Sequence, residues 1–377
     1  MSEMKTANKK KRIVYLDTLR ALAIMSVILF HVYCRVGPMV YPDYSTIPSL
    51  NWFIAVVVGP CSRYGVDLFL MLSGALSLGR KWEIKPFLSK RITRIVLPFI
   101  FWCVILSLFL ISIIFLIPNF EPLAAHYRLP LDFAHTGGLL AIFNFIVNNA
   151  MLGHPPWFTQ NWFFWMILGT YLIMPIFNKW LYNADLKEAE YFLVIWLISC
   201  LFDYTLNTTF PIAITYFTGP IGMVVLGYYL RHTERKVFND IKYSVIFLVI
   251  GLLSTILVAY MMSDTTRIYN VHRYSIFMVI MSVGIFTLFK NIEKRNIDFF
   301  NSPNSIFRKI TFSIAKYSYG IYLIHMVFLN IIFLWVVQSF GFKISIVTVF
   351  FGTLIISCLI MAVLNRIPYI NQVIGAK

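Results

Sequence analysis

The sequence predicts an all-α, polytopic integral membrane protein with about ten transmembrane helices and both termini in the cytoplasm. Three observations support this fold class. Of the 377 residues, 59% are hydrophobic and 13% are charged, and the mean hydropathy is +0.76. This is more apolar surface than a water-soluble globule can bury. Apolar runs long enough to cross a bilayer recur along the chain, and basic residues cluster between them.

The apolar runs place the helices. A hydrocarbon core needs roughly 20 apolar residues in a helix. Glycine, proline and polar residues in "VGPCSRYGVD" predict a break within the second helix, and residues 139–152 predict a short or interfacial helix. The ten predicted spans are 13–34, 52–79, 95–117, 161–182, 191–206, 212–230, 243–262, 273–289, 313–337 and 344–364.

The distribution of charge predicts the topology. The formal net charge is +16, but the lysines and arginines lie in short clusters between apolar runs, which argues for membrane topology and against nucleic acid as a partner. With the N-terminus inside, only five basic residues lie outside: Arg35, Arg128, Arg267, Arg273 and Lys343. We therefore expect a cytoplasmic tail at 1–12, a transmembrane domain at 13–365 and a cytoplasmic tail at 366–377. The longest outside segment, Pro118 to Gln160, is a candidate external lid.

The first helix carries a polar stripe. Arg20 and His31 are 11 residues apart, three turns plus ~20°, so both project from one face, and Asp17 lies beside Arg20. An ionised side chain facing lipid costs a few kcal/mol or more, so the stripe should face the protein interior. One interpretation is an Asp17–Arg20 pair that snorkels to the interface. The other is a polar path in which the imidazole of His31 accepts a proton.

Two further segments contain charges with more than one interpretation. Arg63 and Asp67, at i and i+4, could form an ion pair within the second helix. In "KRITRIVLP", Arg91 and Arg94 follow Lys90 on the cytoplasmic side. This cluster is either a topology marker alone or a pair of guanidinium groups that bind phosphates, which arginine does better than lysine.

The ninth predicted helix and an aromatic loop also have two interpretations each. "KYSYGIYLIH" places Ser318, Tyr322 and His325 near one face, as a hydrogen-bonding node between helices or as the lining of the cavity that contains His31. "GHPPWFTQNWFFW" is typical of an interfacial aromatic belt, and a surface that stacks a sugar is the alternative. The five cysteines are scattered, and no metal-ligand spacing of His, Cys and carboxylates is present.

Together these segments resemble membrane-bound acyltransferase family 3, whose members O-acylate sugars and other acceptors. "YLDTLRALAIMSVILFH" matches the family signature of arginine, ten residues, then histidine, in Arg20 and His31. "YGVDLFLMLSG", "KRITRIVLP", "NWFFWMILGTYLIMP" and "YSYGIYLIHM" resemble the later blocks, in the right order from about residue 13 to 365. No SGNH hydrolase-like domain is appended, which suggests that the membrane domain itself delivers the acyl group.

The resemblance implies a mechanism and its residues. Cytoplasmic acyl-CoA, with acetyl-CoA as the expected donor, would place its phosphates at Arg20, Arg91 and Arg94, and His31 would act as general base on an acceptor hydroxyl. The acceptor would be a glycan or lipid-linked saccharide at a bacterial plasma (inner) membrane, with no permanently bound cofactor and no metal. The supporting residues would be Asp17, Asp67, Ser73, Tyr322 and His325.

Two other classes of function remain open from the sequence alone. Ten helices with intramembrane charges are also typical of a secondary transporter or exporter of a glycan or lipid-linked precursor, although no inverted repeat is evident. A structural membrane subunit would use the same polar residues for packing. Acyl transfer that depends on His31 would distinguish the enzyme from both.

Overall fold

A computed structural model describes residues 13–37, 50–116, 138–153, 157–214, 216, 219–262, 271–336 and 339–376. All the regular elements in these ranges are helical, which confirms the all-α class. The first six main helices are α1 (Val14–Val36), α2 (Leu50–Cys61), α3 (Tyr64–Ser77), α4 (Ile84–Leu116), α5 (Gly138–Asn144) and α6 (Trp162–Asn183). The other six are α7 (Leu186–Cys200), α8 (Pro220–His232), α9 (Ile241–Met261), α10 (Ile276–Lys294), α11 (Ile306–Val336) and α12 (Phe342–Leu364).

Shorter helical turns connect or extend these helices. α5 and α7 each continue as a π-helix, at Phe145–Met151 and Leu201–Leu206, and a 3₁₀ turn at Thr159–Asn161 precedes α6. Single turns lie at Lys236–Asn239, Asp298–Asn301 and Ile370–Val373. The predicted tail at 1–12, and 118–137 and 154–156 of the predicted lid, lie outside the described residues.

Eight helical segments of the described chain are long and apolar enough to cross a membrane, which confirms a polytopic membrane protein. The segment predicted as a span at 212–230 contains α8, which has only 13 residues. At 1.5 Å per residue it is ~20 Å long, less than the thickness of a hydrocarbon core. The membrane sidedness of the termini stays a prediction.

The second predicted span is broken as its sequence indicates. α2 ends at Cys61 and α3 begins at Tyr64. The break is pinned to α1, because the hydroxyl of Ser26 donates a hydrogen bond of 2.5 Å to the backbone oxygen of Ser62. A Cβ at Gly65 would lie 2.5 Å from the backbone oxygen of Ala23, so only glycine permits this approach of α3 to α1.

α4 begins at Ile84 rather than at residue 95, so Arg91 and Arg94 lie on a helix. Pro86 does not prevent this start, because backbone N–H groups in the first turn have no partner within the helix. Basic side chains are good helix formers, which explains why the helix begins 11 residues before the predicted span at 95–117. The helical start places both arginines on the wall of the bundle.

α1 and α11 lie side by side at the centre of the bundle, with α3, α10 and α12 also packed on α1. The first turn of α1 is fixed by Glu293 at the end of α10. The backbone N–H groups of Val14 and Tyr15 donate to the two carboxylate oxygens of Glu293 at 2.9 and 3.1 Å. This contact sets the position of α1 along its axis, and with it the depth of His31.

The segment predicted as a C-terminal tail packs against the bundle. Ile374 is fully buried, and its backbone oxygen accepts a hydrogen bond of 3.1 Å from the indole nitrogen of Trp102 on α4. Gly375 has a φ of +85° and lies against Tyr319 and Gly320 of α11. These residues therefore bridge α4 and α11.

Candidate active site

His31 meets a second histidine inside the bundle. Its Nδ1 lies 2.9 Å from Nε2 of His325 on α11, and the two ring centroids are 5.1 Å apart. His325 is fully buried, whereas His31 is half-buried. The structure thus brings together two histidines that lie 294 positions apart in the sequence.

The partners of His325 define the tautomers of both neutral rings. Nδ1 of His325 lies 2.7 Å from the backbone oxygen of Tyr322 and 3.2 Å from that of Ile321. Because both neighbours are acceptors, neutral His325 carries its proton on Nδ1 and its Nε2 is an acceptor. His31 must then donate from Nδ1, which leaves a lone pair on its Nε2. A neutral imidazole in this tautomer can accept a proton at Nε2.

A cavity of about 220 Å³, here called the wide cavity, lies near this pair. Arg20 from α1 and Arg91 and Arg94 from α4 lie on its wall. The structure therefore brings the three arginines predicted to bind acyl-CoA to one cavity. Its other lining side chains are mostly apolar or aromatic, with hydroxyls from Ser73, Tyr171, Ser318, Tyr319 and Tyr322.

The three arginines differ in how they are held. A guanidinium nitrogen of Arg20 lies 3.0 Å from the carboxylate of Asp17, the pair predicted from their spacing. Arg91 donates a 2.7 Å hydrogen bond to the hydroxyl of Ser77. Arg94 is exposed, and no described residue forms a hydrogen bond or salt bridge with its guanidinium. An incoming anion therefore finds one unengaged guanidinium and two that are already oriented.

A middle cavity of about 20 Å³ lies next to the wide cavity and has His31 in its wall. The two cavities share three aromatic side chains, Phe69, Phe163 and Tyr322. The ring of Phe163 lies 6.0 Å from that of Phe69 and 5.3 Å from that of Tyr322, measured between centroids. These three side chains, here called the aromatic partition, separate the arginines from His31.

On the other side of His31 lies a distal cavity of about 70 Å³. It shares Val27, His31, Val66 and Trp162 with the middle cavity, and Arg63 and Arg273 complete its charged wall. The wide, middle and distal cavities thus follow one another along α1, with His31 bordering two of them. The aromatic partition interrupts this row of cavities between the arginines and His31.

Most of the predicted supporting residues lie near this path. Ser73 and Tyr322 line the wide cavity, and Tyr322 donates a hydrogen bond to the backbone oxygen of Gln160. Asp67 lies apart from the cavity walls, fully buried on α3, where the hydroxyl of Ser282 donates to it at 3.4 Å. The sequence left open an Arg63–Asp67 ion pair, but no salt bridge joins the two in the described part of the chain. Asp67 instead accepts a hydrogen bond from Ser282 of α10.

The tryptophans of the predicted aromatic loop lie in three different environments. Pro155 and Pro156 lie outside the described residues, and Trp157 is buried. Trp165 is 45% exposed, as expected of a belt residue. Trp162 lines the middle and distal cavities, and the guanidinium of Arg273 lies 3.9 Å from its ring centroid. Trp162 therefore belongs to the path as well as to the surface.

Sequence reasoning did not identify several wall residues. Gln160 is buried in the middle cavity, and its Oε1 accepts no hydrogen bond from the described residues. Tyr171 and Tyr319 line the wide cavity, and Arg273 was considered only as a topology marker. For Gln160, the available signal was a pair of amides, Gln160 and Asn161, within an aromatic stretch at the start of a predicted helix. Nothing in the sequence distinguished Tyr171 or Tyr319 from other buried tyrosines.

Comparison with known families agrees with this geometry. The model of a family described as an acyltransferase domain matches residues 13–363, nearly the whole chain, and this family is membrane-bound acyltransferase family 3. The chain belongs to this family. Comparisons with curated proteins and with solved structures give no match.

Family membership makes the protein a membrane acyltransferase and confirms the resemblance based on the Arg20 and His31 signature. In this acyltransferase, the two signature residues border different cavities on the same helix, Arg20 the wide one and His31 the middle and distal ones. Their 11-residue separation corresponds to ~16 Å along the helix axis. The signature thus separates a charged group from a basic nitrogen by about half the thickness of a hydrocarbon core.

Proposed function

We propose that this acyltransferase transfers an acetyl group from acyl-CoA to a hydroxyl of a glycan or lipid-linked saccharide at the bacterial plasma membrane. One observation carries the proposal. The tautomer imposed by His325 gives His31 a basic Nε2, and His31 lies between a cavity with three arginines and a second cavity beyond it. A base placed between two substrate spaces is what direct transfer requires.

The wide cavity supports acyl-CoA as the donor. Coenzyme A carries several phosphates, and guanidinium groups bind phosphate through paired, charge-assisted hydrogen bonds. Arg20, Arg91 and Arg94 would hold the nucleotide end, with Asp17 keeping Arg20 oriented. The pantetheine arm would extend along the cavity toward His31, a distance similar to the ~16 Å between Arg20 and His31 along the helix axis.

The donor thioester must pass the aromatic partition. The middle cavity, at about 20 Å³, has room for about one water molecule and not for a thioester. Rotation of Phe69, Phe163 or Tyr322 would join it to the wide cavity. We propose that binding of the pantetheine arm stabilises this open arrangement. A partition that opens only for the pantetheine arm would then limit hydrolysis of the thioester by water near His31.

The chemistry at His31 is a proton transfer coupled to acyl transfer. Nε2 of His31 takes the proton of the acceptor hydroxyl as the oxygen attacks the thioester carbon, which forms a tetrahedral intermediate. The carbon–sulfur bond then breaks, and the imidazolium returns the proton to the departing thiolate of coenzyme A. The products are an O-acyl ester, free coenzyme A and a neutral His31.

The other polar side chains would position these groups. His325 would hold the tautomer and orientation of His31, and Tyr322 would fix the loop that carries Gln160. The unpaired Oε1 of Gln160 can accept a hydrogen bond from a substrate hydroxyl or amide. Ser73 faces the donor in the wide cavity. Asp67 would act through its electrostatic interaction with Arg63 and Arg273.

The test replaces His31 and follows acyl transfer. With membranes that contain the native acceptor and radiolabelled acetyl-CoA, His31→Ala should lower label incorporation by about 10²- to 10⁴-fold, the usual contribution of a general base. His232→Ala is the matched control, because His232 is exposed and lines none of the three cavities. Both variants should elute and unfold like the wild type. Wild-type incorporation by folded His31→Ala would remove His31 from the mechanism.

A further inference from the structure

The distal cavity carries two positive charges that the acyl-CoA donor does not explain. Arg63, at the break between α2 and α3, and Arg273, just before α10, both line it. The salt bridges between residues in the described ranges are Arg20–Asp17 and Arg235–Glu190, so neither of these arginines has a carboxylate in contact. The cavity thus presents two guanidinium groups that no carboxylate of the described chain neutralises by contact.

Aromatic rings hold both guanidinium groups in place. The Cζ atom of Arg273 lies 3.9 Å from the ring centroid of Trp162, and that of Arg63 lies 4.9 Å from the ring centroid of Phe30. Such cation–π contacts orient a cation without neutralising its charge. The two side chains are therefore fixed on the cavity wall with their charge still available to a ligand.

Asp67 does not supply a counter-charge in the distal cavity. Asp67 interacts electrostatically with both Arg63 and Arg273. However, it is fully buried, receives its hydrogen bond from Ser282 on α10, and does not line the distal cavity. Two like charges in one small cavity repel each other strongly where water is scarce. An anion that enters the cavity relieves that repulsion and forms charge-assisted hydrogen bonds to both arginines.

We propose that the acceptor substrate carries a carboxylate or phosphate near the hydroxyl that is acylated, and that this anionic group binds between Arg63 and Arg273. This inference rests on the proposed function, because it places the acceptor on the side of His31 opposite the donor. His31 borders the distal cavity, so an anion bound there brings its neighbouring hydroxyl toward Nε2. At about 70 Å³ the cavity admits such a group and excludes a nucleotide.

The test measures anion binding directly and needs no turnover. Thermal unfolding of the purified full-length protein is followed in detergent with two matched probe pairs, without acyl-CoA. The first pair is methyl β-D-glucuronide and its neutral counterpart methyl β-D-glucoside. The second pair is glycerol 1-phosphate and glycerol. We expect at least one anion, and neither neutral probe, to raise the unfolding temperature of the wild type with saturation.

The variants locate the site. Arg63→Gln and Arg273→Gln should each raise the probe concentration that gives half the shift by about tenfold, the loss expected for one charge-assisted hydrogen bond. Lys343→Gln removes an exposed positive charge that does not line the cavity, and it should respond like the wild type. Arg63→Lys and Arg273→Lys keep the charge and should lose less. These lysine variants also serve if a glutamine variant does not fold.

Each outcome decides the inference. A shift with the glucuronide alone identifies a sugar acid, and a shift with glycerol phosphate alone identifies a phosphate-bearing acceptor. If neither anion stabilises the wild type beyond its neutral partner, or if the glutamine variants respond like the wild type, the inference is overturned. Acetyl transfer that depends on His31, measured on the same preparations, tests the proposed function separately. Anion binding without acetyl transfer would support the anion site and overturn the proposed function.

Discussion

The wide and distal cavities both place arginines beside a membrane-buried path, but they hold them differently. In the wide cavity, Arg20 pairs with Asp17, Arg91 bonds to Ser77, and Arg94 is exposed with no partner among the described residues. In the distal cavity, both guanidinium groups rest on aromatic rings, and no carboxylate of the described residues contacts either one. The wide cavity has about three times the volume of the distal one, at about 220 against 70 Å³.

This difference suggests a division of work between the two cavities. A large space with both free and pre-oriented arginines suits a long, flexible donor with several phosphates. A small space with two fixed charges suits one anionic group whose position must be defined. The histidine pair lies between them, so substitutions at His325, in the wide cavity and in the distal cavity should affect different kinetic parameters. The following predictions use this separation.

The largest of these effects is expected at His325, which belongs to neither arginine cavity. His325→Leu removes the acceptor for Nδ1 of His31 and frees the imidazole to adopt the other tautomer. We expect kcat to fall about 10- to 100-fold, as when a hydrogen-bond partner that orients a functional histidine is removed. The affinity for acetyl-CoA, measured by calorimetry, should stay within twofold of the wild type.

A conservative replacement distinguishes orientation from packing at this position. His325→Gln offers an amide oxygen that can still accept from Nδ1 of His31, so it should recover part of kcat. The pH–rate profile should also separate these variants, because the tautomer of His31 is restrained in only one of them. Equal losses in His325→Leu and His325→Gln, with an unchanged pH profile, would contradict a role in orienting His31.

The second prediction compares the loss of one arginine from each cavity. Arg94→Gln should raise the dissociation constant for acetyl-CoA by about tenfold and leave the KM for the acceptor unchanged. Arg63→Gln should raise the KM for the acceptor and leave the dissociation constant for acetyl-CoA unchanged, because it removes a charge only from the distal cavity. Calorimetry gives the first quantity, and initial rates over an acceptor series give the second. If both variants weaken acetyl-CoA binding equally, the two cavities do not bind separate substrates.

The regions differ in how much of their structure could be predicted from the sequence. Helical geometry alone placed Arg20 and His31 on one face, and the cost of charge in lipid turned that face inward. The arginines of α4 were identified as well, three residues apart at the start of a helix. The contact of His31 with His325 could not be predicted, because helical spacing fixes a face of one helix and not which face of another it meets.

The positions of the other cavity-lining residues also depend on tertiary packing. Gln160 enters the middle cavity because Tyr322 holds its backbone and Leu323 accepts from its amide, and both residues are on a distant helix. Arg273 was predicted only as one of five outside charges, and the structure places it on the wall of the distal cavity, stacked on Trp162. Local patterns therefore predicted individual polar residues, while the partners that define the site came from the assembled bundle.

The smallest predicted effect tests the C-terminal segment as a wall of the wide cavity. Gly375 lines this cavity with a φ of +85°, and a Cβ there would lie 3.0 Å from Cδ1 of Tyr319. Gly375→Ala should therefore cost about 1 kcal/mol of stability. By displacing Tyr319 it should also raise the KM for acetyl-CoA about two- to threefold.

A second glycine supplies the control for this prediction. Gly169 on α6 has no atom within 4 Å of where its Cβ would be, so Gly169→Ala should leave the KM unchanged. Helix propensity favours alanine there, so its unfolding temperature should not fall. If Gly375→Ala lowers the unfolding temperature and leaves the KM for acetyl-CoA at the wild-type value, the segment supports the fold without shaping the donor cavity. A rise in KM confined to acetyl-CoA would instead assign residues at 374–376 to the donor side of the histidine pair.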